Sequence, residues 1–110
     1  MLEGEYEWVD AFTALAEPTR RRILDRLRLG EQTVGDLVDT LDISQPAASK
    51  HLKVLREAGF VSARVAAQHR VYRIEAGPFT ELDRWLEPYR LLWNRHLDKL
   101  EQHLDDMEDR

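Results

Sequence analysis

The chain has 110 residues, a formal net charge of −5 and no cysteine. That length suits one domain with one core. Its 43% hydrophobic and 34% charged content excludes a disordered chain, and the missing thiols exclude disulfides, thiolate metal sites and thiol catalysis.

No apolar run reaches the roughly 18 residues of a membrane span, and no basic-then-apolar leader opens the chain. A cytoplasmic protein without membrane contact is the expectation. Taken in chain order, Trp8, Phe12 and Leu15 stand at helical spacing and predict a first helix over 6–16. Pro18 fits the first turn of a second helix over 18–29, where its missing N–H costs nothing. Ile23, Leu24 and Leu27 make its apolar stripe, and Gly30 ends it.

Val34, Leu37, Val38 and Leu41 predict a short third helix over 34–41. Asp42-Ile43-Ser44 is a break, with Ser44 as N-cap and Pro46 in the turn it opens. A fourth helix follows over 45–58. Ala48, Leu52 and Leu55 face in, Ser49, Lys50 and Lys53 face out, and Gly59 stops it. The hydrophobic period then drops to two. Val61, Ala63 and Val65 alternate with Ser62 and Arg64. After Ala66-Ala67-Gln68-His69, Tyr72 and Ile74 alternate with Val71 and Arg73. Two such runs predict a β-hairpin, closed by Gly77-Pro78.

A last helix over 79–107 carries Leu82, Leu86, Tyr89, Trp93, Leu97, Leu100, Leu104 and Met107 at steps of three and four. Pro88 falls inside it and is expected to kink or split it there. At about 43 Å this helix is too long for so small a globule to cover, so part of its stripe needs a partner outside its own domain. No repeat or second domain is visible, and 1–110 reads as one domain.

The negative total hides a partition. Residues 44–73 sum to +5 and residues 18–28 to +4, while 1–17, 29–43 and 74–110 sum to −5, −4 and −5. Local field decides what a surface attracts, because charges farther off than about 8 Å are screened at physiological salt. The middle of the chain is therefore a candidate for a polyanion.

The third and fourth helices with their short break match a helix-turn-helix, whose second helix enters the DNA major groove. Gln45 and Ser49 can bond base edges, glutamine in bidentate fashion to adenine. Lys50, His51 and Lys53 suit phosphate or guanine, and the helix N-terminus adds N–H donors. The hairpin reads as a wing, with Gln68, His69 and Arg70 near its tip and a narrow minor groove within reach. Arg20, Thr33, Ser44, Pro46 and Arg64 complete the expected DNA-facing set.

The stretches ALAEPTRRRILDRLRLG (14–30) and ISQPAASKHLKVLREAGFV (43–61) resemble the winged-helix regulators of the ArsR/SmtB family. The resemblance runs over about 8–105, and SQPAASKHLKVLREAG is its most specific part. It implies a mainly α winged helix-turn-helix of order α-α-α-α-β-β-α. It also implies a homodimeric bacterial transcription regulator, usually a repressor, that leaves its operator on a signal. In such proteins the first and last helices form the dimer, which here points to Trp8, Phe12, Leu15, Leu82, Trp85, Leu86, Tyr89, Trp93, Leu97 and Leu100. The positions of Gln45, Ser49, Lys50 and His51 read the major groove, and the wing touches the flanking minor groove.

Three departures stand beside the resemblance. Family members that sense metal on the third helix carry two cysteines in a Glu-Leu-Cys-Val-Cys-Asp-Leu stretch; here Thr33 and Gly35 hold those positions. A second family site uses last-helix histidines about eleven apart, whereas His96 and His103 are seven apart. The wing tip lacks the glycine common there. No metal or cofactor is therefore expected, and the sequence does not identify the effector. The alternatives are a winged-helix module for protein contact and a metal-responsive repressor using last-helix histidines and carboxylates. No nucleophile–base pair, spaced carboxylate pair or glycine-rich phosphate loop supports an enzyme.

Overall fold

A computed structural model describes residues 11–108. Trp8 and the first half of the expected opening helix lie outside them. Residues 11–16 are helical (α1) and bury Ala11 and Ala14. Helix α2 (Pro18–Leu27) follows with Glu17 as N-cap, and it buries Ile23, Leu24 and Leu27 as the stripe predicts. Strand β1 (Gln32–Thr33) leads into α3 (Val34–Leu41), then come α4 (Gln45–Glu57), β2 (Val61–Ala66), β3 (His69–Ile74) and α5 (Gly77–Glu108).

The three consecutive arginines of α2 each close a helix end. Arg20 donates to the carbonyls of Thr13 and Ala14, and Arg21 to those of Leu15 and Ala16, all in the last turn of α1. Arg22 donates to the carbonyl of Leu41, the last residue of α3. Terminal carbonyls lack intrahelical donors and carry partial negative charge, so a guanidinium satisfies both.

Helix α3 starts on a capping box. Thr33 Oγ1 accepts from Asp36 N at 3.1 Å while Asp36 accepts from Thr33 N at 2.9 Å. Asp42 ends it in the left-handed region at φ 54°, a conformation that aspartate tolerates better than most residues. Ser44 then caps α4 by accepting from Ala47 N at 3.2 Å. The exit of α4 is a Schellman turn: Gly59 N donates to Arg56 O and Phe60 N to Leu55 O, with Gly59 at φ 83°. This turn drives Phe60 into the core, where it is fully buried and meets Phe79 edge to face at 5.0 Å.

The sheet has three antiparallel strands in the order β1-β3-β2. Strand β1, which pairs Thr33 with Val71, adds to the expected hairpin. Two residues are too few to show an alternation. The hairpin itself is tighter than its hydrophobic pattern: β2 runs through Ala66 and β3 starts at His69, leaving a two-residue turn. Ala67 takes φ 56° there, a conformation that hairpins usually give to glycine. Val65, which shares the alternation of Val61 and Ala63, is 73% exposed. The ribbon has left the core by that point, and its ladder bonds continue without any apolar face to bury.

The chain divides into two compact units at Phe79–Thr80. In the second, α5 continues through Pro88 as one helix rather than splitting there. It presents Trp93, Leu97, Leu100, Leu104 and Met107 at 51–61% exposure. Leu82, expected on that outward stripe, is buried, and Leu86 is half-buried. No helix among the described residues is long and apolar enough to cross a membrane.

Candidate nucleic-acid interface

Helix α4 buries Ala48, Leu52 and Leu55, which fixes the direction of its other faces. Gln45, Ser49, Lys53 and Arg56 recur at steps of four, four and three, so they form one stripe beside the buried one. With Val34, Val38 and Asp39 of α3 and Gln68, His69, Arg70 and Tyr72 of the hairpin, they line an open depression of about 640 Å3. Val34, Val38 and the buried Tyr72 supply apolar lining, and most of the other lining side chains are polar or cationic. The break after Leu41 turns the chain so that α4 packs on α3, and pairing of β1 with β3 brings the wing beside α3. The depression therefore exists only because three elements converge.

Most residues expected to face DNA are brought together here, and several already have partners. Gln45, Ser49, Lys53, Gln68, His69 and Arg70 share the depression, and Lys50 stands exposed beside it on the outer side of α4. Thr33 also lines it, but its hydroxyl is committed to the α3 cap. The Ser44 hydroxyl is committed to the α4 cap, and Pro46 is exposed in the first turn. Arg64 is held by Glu31 at 2.6 Å, and its guanidinium keeps the Glu31 carboxyl below its ordinary value. Arg20 is occupied by α1 carbonyls. His51 is only 18% exposed and faces Glu17 and Arg20, away from the depression.

Arg56 was absent from the expected set. The signal that finds it is the stripe itself, since it stands three residues beyond Lys53 and eleven beyond Gln45. Among the described residues, Lys50, Lys53, Arg56 and Arg70 have no ion-pair partner. Acid is present at one edge: Asp39 lines the depression, and Asp36 lies near enough to His69 for the charges to interact. The Asp36 carboxyl is held below its ordinary value first by the Thr33 N–H and then by the Thr33 hydroxyl. No group of three or more histidine, aspartate or glutamate side chains suited to a metal is gathered among the described residues.

Such an arrangement offers a polyanion four uncompensated cations around two side chains, Gln45 and Ser49, suited to base edges. Comparison with known proteins agrees. Residues 17–63 match the model for bacterial regulatory proteins of the arsR family. The chain is 41% identical over 99 residues to the HTH-type transcriptional regulator Rv2034 of Mycobacterium tuberculosis, covering 86% of each chain. It is 34% identical over 77 residues to the transcriptional repressor SdpR of Bacillus subtilis, covering 70% of this chain and 86% of that one.

Among solved structures, the ArsR family transcriptional regulator RHA00566 superposes with a TM-score of 0.73 at 34% identity, covering 86% of this chain and 97% of that one. The homodimeric winged helix-turn-helix DNA-binding domain Mb0332 of Mycobacterium bovis gives 0.62 at 27% identity, covering 83% and 82%. This chain belongs to the ArsR family and is a winged helix-turn-helix transcriptional regulator.

Proposed function

We propose that the protein is a cytoplasmic, homodimeric repressor in which both units act together as one DNA-binding and dimerisation domain. Each protomer inserts α4 into a major groove, with Gln45 and Ser49 on base edges and Lys50, Lys53 and Arg56 on phosphate or guanine. The wing residues Gln68, His69 and Arg70 lie along the flanking minor groove. The observation that carries this reading is the joining of Gln45, Ser49, Lys53 and Arg56 with the wing tip around one cationic depression. It acts by occupying DNA, not by catalysing a reaction.

Dimerisation is supported by the long exposed stripe of α5 and by the homodimeric relative; the repressor role is supported by the relative named as one. Two α4 helices related by a twofold axis read a pseudo-palindrome whose half-sites are about one turn, roughly 34 Å, apart. Selection from random duplex DNA tests this. The expected winner is an inverted repeat at that spacing, with affinity that falls steeply as salt rises. Recovery of no preferred sequence, or binding indifferent to salt, overturns the proposal.

A further inference from the structure

His51 belongs to α4 but not to its reading stripe. It lies about 200° round the helix from Ser49, at 100° per residue. Its Nδ1 is 3.3 Å from Arg20 Nη1. Arginine has only donors, so Nδ1 is the acceptor in this contact. The same guanidinium donates from Nε to Ala14 O at 2.7 Å and from Nη2 to Thr13 O at 3.0 Å. All three nitrogens of one planar fork are thus engaged, two by the last turn of α1 and one by α4.

Glu17 completes the cluster. It accepts from Arg20 N at 3.0 Å and stands 3.8 Å from His51 Nδ1. Burial works to raise its carboxyl, but the Arg20 N–H and hydrogen bonds from Thr19 hold it below its ordinary value. The directions of a guanidinium's bonds are fixed by its plane. The ring cannot shift relative to the α1 carbonyls without losing one of them.

We infer that Arg20 and His51 are a positioning pair, which ties the recognition helix to the end of α1 and sets how α4 is presented to DNA. The inference rests on the proposed DNA-binding reading. It separates His51 from the base readers and Arg20 from the phosphate contacts. Because α1 also belongs to the proposed dimer contact, a displacement there reaches α4 through one side chain.

Each role leaves a different trace. A base reader changes preference at one base pair. A phosphate contact lowers specific and non-specific affinity together and flattens the salt slope. Simple loss of fold lowers both affinities in proportion. A positioning pair lowers the ratio of specific to non-specific affinity, leaves the slope alone, and acts as a unit.

The test is operator and random-duplex affinity across salt for the wild type, Arg20→Ala, His51→Ala, the double variant, His51→Asn and Arg20→Lys. Each alanine variant is expected to lose about tenfold in operator affinity, with the double variant no worse than either, a coupling of about 1.4 kcal/mol. His51→Asn, whose Oδ1 accepts near the position of Nδ1, recovers most of the loss. Arg20→Lys, which has no fork, does not. If an alanine variant fails to fold, the contrast between His51→Asn and Arg20→Lys carries the test by itself.

Additive losses, a changed preference at a single base pair in His51→Ala, or a salt slope lowered by about one in Arg20→Ala overturns the inference while leaving the DNA reading intact. Absence of salt-dependent operator binding by the wild type overturns the DNA reading and the pair with it.

Discussion

At the scale of single residues, partners divide the polar side chains more sharply than position does. Thr33, Ser44, Arg20 and Arg64 spend their hydrogen-bonding groups on caps, a helix end and an ion pair. Gln45, Ser49, Lys53 and Arg56 do not, and they share one stripe. Gln45→Ala is therefore expected to cost about 1–3 kcal/mol in operator binding and to relax preference at one base pair per half-site. Competition binding against operators altered at each position checks this, and an equal loss for every sequence counts against Gln45 as a base reader. The spacing of Gln45 and Ser49 was legible because both are polar residues on an amphipathic helix. The place of His51 was not: a polar residue facing a polar partner on another element looks, in sequence, like one facing water.

At the scale of elements, local signals carry far. Caps and glycine stops are short-range physics, and they place α3 over Val34–Leu41 and α4 over Gln45–Glu57, within a residue of what the sequence predicts. The Schellman exit of α4 shows how much rests on one such signal. Gly59 sits at φ 83°, and a Cβ there would meet Pro78 Cγ at 3.4 Å. Gly59→Ala is expected to destabilise the protein by about 1–2 kcal/mol, read as a lower denaturant midpoint with an unchanged slope. A stability within about 0.3 kcal/mol of wild type would show that the turn is not strained in this way. Strand β1 was invisible for the opposite reason. Its pairing with Val71 and Tyr72 joins segments far apart in the chain, and nothing local marks it.

For the molecule as a whole, charge and apolar surface set the conditions under which it works. Glu17, Glu31, Asp36 and Glu75 all have carboxyls held below their ordinary values of 4.5 and 3.8. For Glu75 the first cause is the Ser62 hydroxyl, donating at 2.6 Å. Each therefore binds its proton more readily in the unfolded chain. The stability they contribute is complete above those ordinary values and is lost as pH falls through the lower folded ones. The melting midpoint is expected to drop on acidification below about pH 4.5, and less so in Glu31→Gln, which has already lost the Arg64 pair. A midpoint flat through that window would remove these groups from the account. Apolar surface sets assembly: Leu97, 61% exposed on α5, is expected to be covered in the dimer. Leu97→Glu should then shift sedimentation at micromolar concentration toward monomer while leaving the helical signal in place. An unchanged dimer would place the contact elsewhere.

Helices, break, wing, family and the basic middle of a chain whose net charge is −5 can all be read along the sequence. The family is read from the resemblance of residues 14–30 and 43–61; the rest follow from periodicity, caps and local composition, which act over a few residues. Which of the described cations lack an ion-pair partner emerges from the folded chain. Folding took Arg20 and Arg64 out of the open set and turned His51 toward α2. The physical reason is that a hydrogen bond or ion pair depends on where two distant segments meet. Arg20 meets His51, and Arg64 meets Glu31, across more than thirty residues each. No local pattern records that meeting.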